Sequence, residues 1–271
     1  MLRPMDHPAK PALLTDTKPV GLMPRRNRPG SFPLAADITL VHSSDLHVDD
    51  DPHQGPYGED GTTGLRVVLE AARSVDADYV LLVGDIFDSN RQSPALIARC
   101  VEMLADAGRS IVVLPGNHDP LTSDSVWKRG GLDRLDNVAI LGLTHEQAIH
   151  FPGHDLEMWG HAHVDYSDMV PLRDPRPRTA RWHITLAHGH YEDDGVVPLR
   201  PSWLISNAQI DATRSDYLAL GHWNRAAEVG TGTTVPAFYS GSPDLARSVN
   251  LVRLRGNGTV IVERMGIELP A

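Results

Sequence analysis

Five short apolar runs in this 271-residue chain each lead into residues that can ligate a cation, and this constrains the fold more than any other feature. Ile38-Thr39-Leu40-Val41 runs into Ser44-Asp45-Leu46-His47, and Tyr79-Val80-Leu81-Leu82-Val83 into Gly84-Asp85. Ile111-Val112-Val113-Leu114 precedes Pro115-Gly116-Asn117-His118-Asp119. His188 follows Ile184-Thr185-Leu186-Ala187, and Gly221-His222-Trp223-Asn224 follows Tyr217-Leu218-Ala219-Leu220. Short apolar runs bounded by polar residues and glycine read as buried strands. Between the first three lie amphipathic stretches. Residues 62–75 place Leu65, Val68, Leu69 and Ala72 on one helical face, and residues 94–107 have proline in the first turn and Gly108 past the end. Strand and helix alternating in this way imply an α/β fold, a parallel sheet covered by helices. Ligands of such sheets bind beyond the carboxyl ends of the strands, so all five ends can converge on one spot.

The second half is richer in strands, with candidates at 138–141, 156–159, 183–187, 217–220, 237–240, 251–254 and 259–263. Residues 1–36 differ: prolines recur at 4, 8, 11, 19, 24, 29 and 33, with Arg25, Arg26 and Arg28 near the end. Such a segment buries too little apolar surface to offset its ordering entropy, so it is expected to be a flexible tail. The other reading is a basic arm for an acidic partner. Residues 37–271 are expected to form one domain. No apolar run approaches the roughly 18 residues of a membrane span, and the start has no signal-peptide pattern. The expected location is therefore the cytoplasm, with no membrane partner. The single cysteine, Cys100, cannot form an internal disulfide and reads as a buried thiol. The formal charge of −10 argues against non-specific DNA binding, which depends on Lys and Arg. Acidic runs such as Asp49-Asp50-Asp51 and Glu192-Asp193-Asp194 read as solvated loops.

The residue types define the chemistry. Carboxylate, amide oxygen and imidazole without thiolate suit manganese, iron or zinc. A carboxylate can bridge two ions, and a two-metal site can bind a phosphate and activate water. Gly84, Gly116 and Gly221 are expected to let the backbone turn sharply beside the metals.

The set Asp45-x-His47, Gly84-Asp85, Gly116-Asn117-His118-Asp119, His188 and Gly221-His222 resembles the calcineurin-like metallophosphoesterase superfamily, over residues 38–244. Ser43-Ser44-Asp45-Leu46-His47, the stretch from Gly84 to Asn90, the stretch from Asp216 to His222 and Tyr239-Ser240-Gly241-Ser242-Pro243 are similar to its DNA repair exonuclease branch, the SbcD-type nucleases. The resemblance implies two packed mixed β-sheets flanked by helices, a four-layer αββα sandwich. It implies two divalent metals, manganese first and iron or zinc as alternatives, and a metal-activated hydroxide that attacks phosphorus. Asp45 and His47 would hold the first metal, Asp85 would bridge, and Asn117, His188 and His222 would hold the second. His118 would contact the phosphate and protonate the leaving oxygen, a task that suits imidazole. Asp119 would either orient His118 or stabilise its turn. The family has Gly-His-x-His where this chain has Asn224, an amide ligand in place of the second imidazole of that motif.

Gly160-His161-Ala162-His163 has the Gly-His-x-His spacing but precedes His188, the wrong order; it either supplies a metal ligand or, as the default, is a strand-end pair of partly exposed histidines. His190 faces either the opening or solvent. Arg173, Arg176, Arg178 and Arg181 form either a solvated loop or a grip on a phosphate backbone. Trp203, Trp223 and Tyr191 would be buried, line a pocket or stack on a base. Three functions follow. The first is a phosphodiesterase or nuclease acting on nucleic acid, without the capping domain of SbcD-type enzymes because the stretch after Pro243 is short. The second is a phosphoesterase of a small nucleotide or other soluble phosphoester. The third is a scaffold that lost a metal through Asn224.

Overall fold

A computed structural model describes residues 36–50, 60–193 and 202–269. The proline-rich tail through residue 35, together with Asp51 and Asp194, lies outside the described residues. In chain order the elements are β1 (Ile38–Ser43), α1 (Thr63–Ser74), β2 (Tyr79–Val83), α2 (Pro94–Ala105), β3 (Ser110–Leu114), β4 (Val138–Ile140), β5 (Ala148–Phe151), β6 (Leu156–Gly160) and β7 (Trp182–His188). There follow β8 (His190–Tyr191), β9 (Leu204–Ile205), α3 (Asn207–Thr213), β10 (Tyr217–Gly221), β11 (Ala227–Val229), β12 (Ala237–Tyr239), α4 (Pro243–Ala246), β13 (Ser248–Leu254) and β14 (Val260–Gly266).

Two six-stranded mixed sheets form the body. The first has the order β14-β13-β1-β2-β3-β4, with β1 to β4 parallel and β13 and β14 antiparallel. The second has the order β11-β12-β10-β7-β6-β5, parallel through its four central strands and antiparallel at both edges. The sheets pack face to face where β2 and β3 meet β7 and β10. All five residues of β2 are buried, as expected of a strand covered on both faces. Each buried Val or Leu there contributes about 1.5–3 kcal/mol.

Side-chain alternation decides what points between the sheets. In β7, Trp182, Ile184 and Leu186 join the large core, while Ala187 joins a smaller outer core. In β10, Tyr217 and Ala219 face the large core and Leu218 and Leu220 the outer one, together with Ile210 of α3. By the period of two, His188 shares the side of Leu186 and points toward the first sheet. On the far side of that sheet, α1 packs against β1 and β2 and buries Leu65, Val68, Leu69 and Ala72. Ser93 caps α2 by accepting from the Leu96 amide at 3.2 Å, and Gly108 follows at φ +65°. Cys100 lies buried inside α2, where burial pushes its thiol up to about 12.

Candidate metal centre

The carboxyl ends of β1, β2, β3, β7 and β10 meet at one edge of the two sheets. Beyond β1 and β2 the chains keep running side by side: Asp45 N–H donates to Gly84 O and His47 N–H to Asp85 O, both at 3.0 Å, and Val48 N–H to Ile86 O at 2.8 Å. The second sheet is tied in by His222 N–H, which donates to Asp45 Oδ2 at 3.0 Å. The backbone is strained there. Asp45, His47 and Asp85 adopt left-handed φ of 54°, 46° and 53°, and His222 has φ 105°. Non-glycine residues in such conformations cost roughly 1–3 kcal/mol each and cluster at functional sites.

Three groups of donors, each with ligand atoms within 4.8 Å of one another, stand out among the described residues: Asp45, His47 and Asp85; Asp85, His188 and His222; and His47, Asp88 and His118. Asp85 belongs to the first two. His188 is fully buried, with Nδ1 3.0 Å from the Val83 carbonyl, to which it can only donate. Its Nε2 then lies 3.1 Å from both Asn117 Oδ1 and Asp85 Oδ2. One ring nitrogen, which would give up its proton where a cation takes that place, and two oxygens thus converge in a buried space. That arrangement calls for a positive charge between them, and the donor set fits a hard or borderline divalent cation. Electrostatics agree. Burial alone would lower the His188 pKa, but Asp85 and Asp45 push it up to about 9. Burial works against ionising Asp85, yet His188, His118 and His47 hold it well below the usual carboxylate range. Asp45 is raised, by burial first and by the neighbouring Asp85.

Gly84 is left-handed at φ +80°, and an ideal Cβ there would sit 1.9 Å from His188 Nδ1. At Gly116 a Cβ would meet Asp85 Oδ1 at 2.2 Å, and at Gly221 the Val83 carbonyl at 1.9 Å. Neither of the latter has positive φ, so the expectation of sharp turns is corrected for them: they are small to make room for the donors.

His118 stands 44% exposed at the mouth, its Nδ1 2.9 Å from the Asp88 carbonyl. The Asp88 carboxylate accepts from His47 Nδ1 at 3.1 Å. Asp88 is a residue that sequence reasoning missed, although it lies inside the quoted stretch after Gly84. Asp119 does not orient His118. Its carboxylate accepts from the Gly116, Ile86 and Phe87 amides at 2.7, 2.9 and 3.1 Å and ties the loops after β2 and β3 together. Asn224 is exposed, and its carbonyl accepts from Ser242 N–H at 3.2 Å.

The expectation of partly exposed histidines at 161 and 163 is corrected. Both are buried, with Nε2 donating to Arg173 O at 2.8 Å and to His188 O at 3.0 Å. Burial lowers His163 to about 4. His190 turns toward the site: its ring is 6.0 Å from that of His222, and its Nδ1 accepts from Trp223 Nε1 at 3.0 Å. Trp223 stacks on Tyr239 at 4.4 Å. The basic loop is largely used internally. Arg178 binds Asp216 at 2.6 Å and the Arg214 carbonyl at 2.8 Å, and Arg181 binds the Gly256 carbonyl.

Two packed mixed sheets with a carboxylate–imidazole cluster at their shared edge define a metallohydrolase. Residues 38–237 match the calcineurin-like phosphoesterase family, and the chain belongs to that family of hydrolases acting on phosphoester bonds. Among curated proteins it resembles the uncharacterized metallophosphoesterase YhaO of Bacillus subtilis, 27% identical over 70% of this chain and 49% of that protein. It is also similar to a component of the nuclease SbcCD of Escherichia coli, 25% identical over 76% of this chain and 60% of that one. The DNA double-strand break repair protein Mre11 of Sulfurisphaera tokodaii is 22% identical over 84% of this chain and 60% of that one. The chain thus spans about half to three-fifths of the length of these relatives. Among solved structures, a putative 5′-nucleotidase from Staphylococcus aureus shares the fold with a TM-score of 0.55 at 15% identity, over 86% of this chain and 54% of that one. TT1561 of Thermus thermophilus does so with 0.51 at 13%, over 84% and 98%. Among the described residues, no helix is long and apolar enough to cross a membrane.

Proposed function

We propose that this chain hydrolyses phosphodiesters at a pair of divalent cations, manganese first, with iron or zinc as alternatives. Asp45, His47 and Asp85 would hold one cation, and Asp85, Asn117, His188 and His222 the other. The observation that carries this reading is the membership of Asp85 in two donor groups, which supports a carboxylate that could serve both cations. Bound there, the cations would polarise a phosphoryl oxygen and supply a nucleophile at neutral pH. The protein's own residues do the rest. Val83 fixes the His188 ring, and Asp88 fixes the His47 ring. His118 donates Nδ1–H to the Asp88 carbonyl, so as the imidazolium it would deliver its Nε2 proton to the departing oxygen and be left as the Nδ1–H tautomer.

One relative is a nuclease and another a DNA break repair protein, which makes nucleic acid a candidate substrate. The internal use of Arg178 and Arg181, with the net charge of −10, favours a second reading: a small phosphodiester or a strand end rather than a long duplex. Asn224 is proposed as an amide ligand only through movement of its exposed side chain. The test is manganese titration of metal-stripped protein against bis(p-nitrophenyl) phosphate and a single-stranded oligonucleotide. Turnover that rises with manganese and vanishes in Asp85→Asn, which should retain neither ion, is expected. Turnover insensitive to metal removal would sink the proposal.

A further inference from the structure

Three of the four large hydrophobic side chains that stand exposed among the described residues lie in one loop: Val164, Tyr166 and Val170, at 56%, 61% and 46%. That loop leaves His163, whose ring is 5.7 Å from that of His188, so it begins beside the metal centre. It also holds Trp203 in place. The Trp203 amide donates to Asp168 Oδ1 at 2.6 Å, and its indole N–H to Ser167 O at 3.1 Å. On the other side the Trp203 carbonyl accepts from His190 N–H at 2.8 Å. These bonds hold a bulky residue at φ 58°, a left-handed conformation that aromatic side chains rarely adopt. The half-buried indole stands edge-on to His222 at 5.7 Å and to His163 at 5.5 Å. The indole therefore lies directly beside one of the donor imidazoles. Trp223 and Tyr191 are less suited to such a role: the first is stacked on Tyr239 and the second is buried.

We propose that Trp203, with the loop that anchors it, is a stacking site for the nucleobase of a phosphate ester seated at the metal centre. The inference rests on the phosphoesterase reading above and names its substrate class as a nucleotidyl ester, either a free nucleotide or a strand end. A planar base suits the place because any base offers a π-face to an indole, and the indole N–H is already committed to the Ser167 carbonyl. The pinned indole has already lost its rotamer freedom, so stacking costs little further ordering.

The test uses the manganese-loaded full chain and calorimetric titration, which needs no turnover. Adenosine 5′-monophosphate and ribose 5-phosphate differ only by the base. A short single strand is compared with the same strand carrying abasic ends. The wild type should prefer the base-bearing member of at least one pair by about tenfold, in the range of stacking effects measured by alanine substitution. Preference in the nucleotide pair alone points to free nucleotides, and preference in the strand pair alone points to strand ends. Trp203→Ala should abolish the preference while ribose 5-phosphate and manganese bind as before, and Trp203→Phe should keep most of it. Equal affinities within both pairs, or a preference that survives Trp203→Ala, overturns the stacking site. If ribose 5-phosphate still binds in that case, the metal-centre reading stands. Binding of none of the four compounds overturns both.

Discussion

Replacing Gly84 by alanine should cost the second cation while sparing the first. The new Cβ would lie 1.9 Å from His188 Nδ1, where real Cβ contacts stop at 3.0 Å, so the ring must retreat by 1.1 Å (3.0 − 1.9). That breaks the 3.0 Å hydrogen bond to Val83 and carries Nε2 away from Asn117 and Asp85. Metal–ligand distances tolerate only about 0.2 Å. A β-carbon at φ +80° adds roughly 1–2 kcal/mol of backbone strain, and the lost hydrogen bond about 0.5–1.5 kcal/mol. Gly108→Ala is the control: its φ is +65°, but nothing lies within 4 Å of the added carbon. Both variants should melt lower, Gly84→Ala by the larger margin, at about 2–4 °C per kcal/mol for a domain of this size. Metal content after dialysis should fall from two ions to one in Gly84→Ala alone. Two tightly held ions in that variant would refute the claim that this contact seats His188.

Other variants probe separate parts. His118→Ala should lower turnover by ~10²–10⁴-fold with both metals retained; unchanged turnover in a metal-replete sample would remove the proposed proton donor. Asn224→His should tighten the weaker-binding cation in equilibrium dialysis, and identical isotherms would mean that this position does not reach the site. His42 is fully buried against the Tyr217 hydroxyl at 2.8 Å, and burial pushes it down to about 3. The unfolded chain takes up a proton near pH 6.5 and the folded one does not, so stability is lost as pH falls from about 6.5 toward 3. At pH 5 the loss is about 2 kcal/mol relative to neutrality. Urea titrations at pH 7.5 and 5 should show this difference shrinking in His42→Gln, and an equal difference in both proteins would refute it.

Much of the fold was legible in the residues themselves. β2 falls at residues 79–83 as its uninterrupted apolar run predicts, and β1, β3, β7 and β10 extend their predicted strands by one or two residues. The edge strand β5 was not legible because none of its four residues is fully buried: His150 is exposed, and Ile149 and Phe151 are only partly covered by the core. α3 carried a readable start, Ser206 and Gln209 in a reciprocal capping box, but seven residues give too little helical period to notice. Within the site, the order of Asp, His and Asn after strands announced the donors. The left-handed backbone at Asp45, His47 and Asp85 left no separate mark, since the same residue types are already demanded by ligation. The burial of His161 and His163 depends on what the second sheet packs against. Trp203 stayed ambiguous because an isolated aromatic has no periodic context to place it.

The hydrogen bonds from His222 to Asp45 span 177 positions of chain. A ribosome therefore completes most of the polypeptide before these two groups can meet. Any ion gripped from both sheets is gripped only after synthesis has passed His222, and occupancy becomes a record that both halves of the cage have been made.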